Sequence, residues 1–283
     1  MSPEKDQIGK LSVAAGLLRN SINLIKPRQT LFIFSHMRSY STLLSHLLGS
    51  HPEITGYAEM HQSYRNSLDV LRLRVKVLMA NDYELKGRYV LDKVLHNERV
   101  ISDAILNSPA TAVIFLVREP QGSLRSIFKM GKKVPDMAWV SQPAALLEYY
   151  CQRLAELEVL SRRRRTPAYF LNGDLLLTHS RETLQSVSTY LGLHTQLSES
   201  YKIFRHTGES GYGDFSETVR SGHIIREEKK DDAHFEPQIL AEAWDAYERC
   251  VNTLNKYCEV NPVTQDVSLV EVPAELSKKA LEI

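Results

Sequence analysis

The chain has 283 residues, 43% of them hydrophobic and 24% charged, and its 35 Lys and Arg against 34 Asp and Glu leave a formal net charge of +1. This is globular composition, which excludes a disordered, collagenous or coiled-coil chain, and without a global positive field for nucleic acid or an anionic membrane any anion must bind at a local site. No apolar run approaches the roughly 20 residues of a membrane span, Met1 to Lys10 is polar and unlike a signal peptide, and Cys151, Cys250 and Cys258 fit neither a disulfide framework nor a zinc spacing, so a cytoplasmic protein is expected.

Residues 1–29 read as a preamble, with Leu11, Ala14, Ala15, Leu18, Ile22 and Ile25 on one face of a helix that stops before Pro27. A short apolar run, Leu31 to Phe34, predicts a strand. The polar loop Ser35 to Thr42 follows, and then Leu43, Leu44, Leu47 and Leu48 at helical spacing with Gly49 and Pro52 as stops. Tyr89 to Asp92 predicts a second strand, leading after Asn97 into a helix on Val100, Ile101, Ala104 and Ile105. Ala112 to Val117, β-branched and apolar on both faces, predicts a buried parallel strand. Pro120 opens a helix that runs to Gly131. A long helix is expected from Ser141 to about Arg163, a strand at Ala168 to Leu171, and a helix from Ser180 to Leu191 closed by Gly192. Residues 205–235 read as a long loop and Glu236 to Lys256 as a final helix.

Strands alternating with helices predict an α/β fold, a parallel β-sheet flanked by helices in three layers, with ligands at the carboxyl ends of the strands. That rule alone gathers Ser35 to Thr42, Lys93 and Arg118 around one crevice. The backbone N–H groups of the loop and the N-terminus of the following helix suit an anion, and Arg38, Ser41 and Thr42 add charge and hydroxyl donors. No glycine lies between Ser35 and Thr42, so the loop is not the GxxxxGK[ST] element of ATPases and GTPases.

Met37-Arg-Ser-Tyr-Ser-Thr-Leu-Leu44, followed by His51-Pro52, resembles the 5′-phosphosulfate loop of PAPS-dependent sulfotransferases, usually PRSGSTLL and then HP. Met37 replaces Pro, and Tyr40 replaces a Gly that tolerates backbone angles Tyr resists, so the Tyr40 ring is expected to turn into the substrate pocket. Phe115-Leu-Val-Arg-Glu-Pro-Gln-Gly-Ser-Leu-Arg-Ser126 resembles the family's 3′-phosphate element, a strand ending in Arg with a Ser eight residues on. A strand-end Arg and a hydroxyl on the next helix converge on one phosphate. The resemblance covers about Thr30 to Arg226 and implies a P-loop NTPase-like architecture, with residues 1–262 as one sulfotransferase domain and 263–283 as a tail.

What the resemblance implies for the site is specific. Arg38, Ser39, Tyr40, Ser41 and Thr42 hold the 5′-phosphosulfate of PAPS, and Arg118 and Ser126 hold the 3′-phosphate, with Arg226, in Ser221-Gly-His-Ile-Ile-Arg226, as a further ligand. Gly213 to Phe215 belongs to the same late loop over the nucleotide. Tyr57-Ala-Glu-Met-His61 resembles the segment facing the acceptor, which makes Glu59 the expected general base and His61 its alternative. Burial would raise the Glu59 pKa, opposed by Lys93 and Arg38. Lys93, ending Val90-Leu-Asp-Lys93, would stabilise charge on the leaving phosphate, and Asp92 is expected as a structural partner of a nearby backbone group or Arg. Phe170-Leu-Asn-Gly-Asp-Leu175 resembles the family's YEDL strand, with Asn172 where Tyr is usual.

The expected reaction is metal-independent transfer of the sulfuryl group to a hydroxyl, or an amine, of a carbohydrate, lipid or small metabolite, leaving PAP. Loops 57–88, 131–142 and 205–225 would build the acceptor pocket, and their chemistry leaves the acceptor and the oligomeric state open. Two alternatives share the fold: a P-loop kinase using ATP and a non-catalytic nucleotide-binding protein. Arg162 to Arg165 complement a helix dipole and read as a solvated face. His36 and His46 lie near the loop without a metal-binding spacing, and Trp139, Trp244, Tyr149 and Tyr150 read as core or pocket wall.

Overall fold

The structure is a computed structural model that describes residues 21–82, 84–209, 217–226 and 234–261. Most of the expected preamble helix, the segment Gly213 to Phe215 and the tail from Pro262 lie outside these residues; of the preamble, only α1 (Ser21–Ile25) is described.

Six strands form one sheet: β1 (Gln29–Ser35), β2 (Ile54–Thr55), β3 (Tyr89–Val94), β4 (Thr111–Val117), β5 (Tyr169–Asn172) and β6 (Glu259–Val260). Their order is β2-β3-β1-β4-β5-β6, and every pairing is parallel. The four long strands match the apolar runs of the sequence. The two-residue edge strands carry no such run and exist because a neighbour pairs with them.

Alternation along β1 sends Leu31 and Ile33 to one face and Phe32 and Phe34 to the other. The first face is covered by α2 (Ser41–Gly49) and α8 (Ser180–Tyr190), through Leu44, Leu47, Leu48, Leu184 and Val187. The second face is covered by α3 (Ser67–Ala80), α5 (Pro120–Gly131), α6 (Pro143–Arg163) and α9 (Pro237–Tyr257), through Leu73, Leu124, Leu154 and Val251 among others. Two short helices, α4 (Asp103–Leu106) and α7 (Leu175–Thr178), complete the set of α-helices among the described residues. The chain leaves β1 toward one face and β4 toward the other, so β1 and β4 flank a topological switch point, where open parallel sheets bind ligands. The register places Ile33 opposite both Lys93 and Ile114, and Ser35 opposite Leu116, which brings Ser35, Lys93 and Arg118 to the same end of the sheet.

Three expectations need correction. The helix expected after Asn97 shrinks to α4, because Tyr64 N–H donates to Val100 O and Ser102 N–H to Tyr64 O, which pairs residues 100–102 with Tyr64 as extended chain. The helix expected from Ser141 starts at Pro143, after a 3-10 turn at Pro135–Ser141, since a residue before proline is forced extended (Gln142 φ −99°, ψ 119°). The stretch read as a loop from 57 to 88 contains α3, capped by Asn66 Oδ1, which accepts from Leu68 N–H and Asp69 N–H. Its outward Leu68, 69% exposed, and the exposed Leu71 and Met79 blur the helical period there.

Candidate active site

The loop Ser35 to Thr42 is shaped by two non-glycine residues in left-handed backbone, Arg38 (φ 61°) and Tyr40 (φ 69°, ψ 17°). Such geometry costs of order 1–3 kcal/mol per residue and persists only where surrounding contacts enforce it. Those contacts are present. Ser35 Oγ lies 2.5 Å from Leu116 O and 2.5 Å from Ser39 Oγ, and Ser39 Oγ donates to His36 O at 2.9 Å. Met37 N–H donates to Tyr149 Oη at 2.9 Å. The Ser39 hydroxyl is fully buried and holds the loop from inside, through Ser35 and His36. The Tyr40 ring is placed differently than expected: it packs under the Arg118 guanidinium, 4.2 Å from Cζ to ring centroid, instead of entering a pocket. A cation over an aromatic face is stabilised by the ring quadrupole.

His36 joins the two loops. Its Nδ1 lies 2.8 Å from Met37 O and its Nε2 is 3.1 Å from Arg118 N–H, which together assign the proton to Nδ1. Burial above all drives its pKa down to about 3; the Met37 hydrogen bond opposes this and the Arg118 and Arg153 charges add to it. His36 is thus a neutral structural brace, a role its sequence position did not disclose.

The expected 5′ and 3′ groups form one continuous set. Arg38 Nε donates to Ser126 Oγ at 2.8 Å, tying the first motif to the second. Arg118, following β4, is 16% exposed, with Nε 3.2 Å from Asp174 Oδ1 and Nη1 3.4 Å from Arg38 O. Its guanidinium occupies the room left by Gly122: a Cβ there would lie 2.4 Å from Arg118 Nη2 and 2.4 Å from Glu119 Oε1. The two helix N-termini differ. Glu119 accepts from Gln121 N–H and Gly122 N–H, so α5 begins capped by its own chain, whereas α2 begins at Tyr40 with no side-chain cap. The helix end fit to meet an external anion is that of α2. Ser41 and Thr42 are its first residues, both buried.

Lys93, 1% exposed at the end of β3, donates from Nζ to Thr42 Oγ1 at 3.2 Å. Beside it Asp92 is fully buried and accepts from Met60 N–H and Lys93 N–H, each at 2.8 Å, and from the Tyr64 hydroxyl. These are backbone and phenol partners, and among the described residues no Arg is one of them. Burial above all raises the Asp92 pKa to about 7, with the hydrogen bonds opposing.

Glu59 is 6% exposed, and its Oε1 is buried 3.3 Å from His61 Nδ1 without hydrogen-bond alignment, which leaves an acceptor oxygen open to a further donor. Burial raises its pKa, but the His61 contact and the His61, Lys93 and His96 charges outweigh it, so the net shift is downward. The sequence left the sign of this balance open; in the structure the opposing groups, His61, Lys93 and His96, outweigh burial. His61 is exposed, with φ 48°. Arg226 Nη2 donates to Glu199 Oε1 at 2.7 Å and Ser180 Oγ at 3.1 Å, contacts that tie it to the start of α8.

Under the site, sequence reading had Tyr149 and Tyr150 as core or pocket wall and missed Arg153. On one turn of α6, the Tyr149 hydroxyl reaches Leu95 O at 3.2 Å, Tyr150 reaches Arg118 O at 2.8 Å, and Arg153 reaches Ser35 O at 2.8 Å. Their i, i+1, i+4 spacing looks like ordinary helix core; only the packing of α6 under the strand ends gives them these tasks. His96, mostly buried beyond β3 with its pKa lowered chiefly by burial, was missed for the same reason.

No protein-family signature matches the chain, and no curated protein sequence matches it. Among solved structures, the chain is similar to the sulfotransferase domain from the curacin biosynthetic pathway, with a TM-score of 0.51 and 14% identity over 83% of this chain and 99% of that one. The sulfotransferase domain from the Synechococcus PCC 7002 olefin synthase aligns at a TM-score of 0.44 and 17% identity, over 77% of this chain and 94% of that one. The first likeness establishes the fold, a sulfotransferase-like α/β architecture.

Proposed function

We propose that this chain is a PAPS-dependent sulfotransferase acting on an acceptor hydroxyl or amine of a carbohydrate, lipid or small metabolite. The observation that carries this reading is the hydrogen bond from Arg38 to Ser126, which joins the two phosphate motifs across 88 positions into one cationic, hydroxyl-bearing surface at the switch point. The donor set fits a bisphosphorylated nucleotide: guanidinium forks at Arg38 and Arg118, hydroxyls at Ser126, Ser41 and Thr42, an ammonium at Lys93, and the uncapped start of α2.

PAPS, when bound, supplies a sulfuryl group that the acceptor oxygen attacks in line as the bond from sulfur to the 5′-phosphate breaks. Arg38, Ser41 and Thr42 hold the 5′ side, and Arg118 and Ser126 the 3′-phosphate. Lys93, fixed through Thr42, stabilises the charge that grows on the leaving group, and with Arg38 it supplies the positive charge a metal ion would otherwise provide. Glu59, ionised at neutral pH and carrying an open Oε1, takes the acceptor proton.

Calorimetric titration with PAP and with ADP, without added metal, tests this on the wild type and on Arg118→Ala. Expected are a clear preference for PAP and a loss of about 2 kcal/mol in the variant, the scale of a charge-assisted phosphate contact. Equal affinity for PAP and ADP overturns the 3′-phosphate assignment and favours a kinase.

A further inference from the structure

Arg153 is the largest fully buried side chain among the described residues, 1% exposed in the middle of α6. A buried guanidinium is normally matched by a carboxylate, because an unpaired ion in a medium of low dielectric is costly. Here it is not. Nε donates to Ser35 O at 2.8 Å, Nη2 to Val94 O at 2.6 Å and Nη1 to Asn97 Oδ1 at 2.9 Å. All three acceptors are neutral, and among the described residues no carboxylate lies within ion-pair distance of it; Glu156, Glu59 and Glu98 act on it only from farther away.

The placement of these acceptors is specific. Ser35 is the last residue of β1 and opens the anion loop; Val94 is the last residue of β3 and follows Lys93. One planar fork therefore spans the carboxyl ends of the two strands that carry the loop and the lysine, and fixes the peptide from which the loop departs. Its charge is felt at His36 on the loop side, and it interacts with Glu59 on the acceptor side. A cation hydrogen-bonded to dipoles alone keeps its net charge, and burial keeps salt from screening it.

We propose that Arg153 is a positioning residue for the anionic donor: it holds the ends of β1 and β3 together and, because Asn97 and two carbonyls satisfy it in place of a carboxylate, lends an uncancelled buried charge to the anion at residues 35–42. This rests on the nucleotide reading above. Asn97 is then the residue that keeps the charge available. It is exposed, and its amide Nδ2 donates to Gln152 O at 3.3 Å, so it can be changed without opening the core.

The experiment exploits that exposure. Asn97→Asp is nearly isosteric and places a carboxylate on Arg153 at the loss of the exposed bond to Gln152 O, whereas Asn97→Ala removes both hydrogen bonds and adds no charge. Wild type and both variants are titrated with PAP and with adenosine, which carries no phosphate, and are melted in parallel. Asn97→Asp is expected to weaken PAP binding about threefold or more, to leave adenosine binding within about twofold, and to melt no lower than the wild type, since the new ion pair offsets a buried charge. Asn97→Ala is expected to bind PAP within about twofold of the wild type. Unchanged PAP affinity in Asn97→Asp, or equal losses for PAP and adenosine, overturns the electrostatic role while leaving the nucleotide reading intact. A wild type that binds no PAP overturns both.

Discussion

Glu59 and His61 form a pair whose two members fail differently when changed. The carboxylate is buried and held below its ordinary pKa, so it is ionised well into the acid range and poised to accept a proton. Glu59→Gln is expected to reduce turnover by about 10²–10⁴-fold, the range for loss of a general base, with PAP affinity unchanged by calorimetry. His61→Gln removes a contact and a charge that hold the Glu59 pKa down. The acid limb of the pH–rate profile should therefore move to higher pH while the plateau rate stays. A fall in the plateau as large as that of Glu59→Gln would identify His61 as the base instead. At this scale the sequence disclosed residue types at motif positions, and the structure brings Lys93 and Arg118 to the same end of the sheet and Arg38 onto Ser126. The sequence could not disclose that the Ser39 hydroxyl turns inward or that the Tyr40 ring lies under Arg118, because both follow from left-handed backbone at Arg38 and Tyr40 that residue identity disfavours.

Helices α2 and α5 each depend on a glycine, and the neighbours of those glycines give opposite outcomes. At Gly49, the last residue of α2, a Cβ would lie 2.4 Å from the backbone O of Gly56, which cannot swing away. Alanine gains about 1 kcal/mol of helix propensity there, but overpacking against backbone costs about 1–3 kcal/mol. Gly49→Ala is expected to lower the urea midpoint, with an increase showing that the strand end yields. At Gly122 the obstructing atoms are the tips of Arg118 and Glu119, which can move. Gly122→Ala should fold as well as the wild type yet bind PAP about tenfold more weakly if Arg118 holds the 3′-phosphate as proposed, because its cost falls on the position of that guanidinium. Undiminished PAP affinity would show that the Arg118 fork does not need that space. The element pattern was legible wherever periodicity was undisturbed, as in β4 and α5. It failed at α3, whose outward face carries Leu68, Leu71 and Met79 beside polar residues, and at residues 97–105, where pairing with Tyr64 overrode the helical spacing.

Across the whole molecule, the brace at His36 links stability to pH. Its pKa in the folded protein, about 3, lies below the ordinary 6.5, so the unfolded chain takes up a proton that the folded one refuses. Its contribution is complete above about pH 6.5 and is lost as pH falls toward 3, up to about 5 kcal/mol over that window. Urea melts between pH 7 and 4 should show this fall, and His36→Gln, which offers a donor and an acceptor without a titrating ring, should flatten it. An unchanged slope in the variant would place the acid lability elsewhere. The sequence by itself determined the alternation of buried strands and amphipathic helices, and with it the parallel sheet and the gathering of Ser35, Lys93 and Arg118 at its carboxyl edge, because period and burial are local properties of a chain. Tertiary structure alone decided which side chains meet there. Arg38 reaches Ser126, α6 delivers Tyr149, Tyr150 and Arg153 beneath the loop, and the groups around Glu59 outweigh burial and lower its pKa. The first two depend on contacts between segments far apart in the chain, and the third on burial and on Lys93 and His96 as well as on the neighbouring His61, so hydrogen-bond geometry and low dielectric act where sequence spacing carries little information.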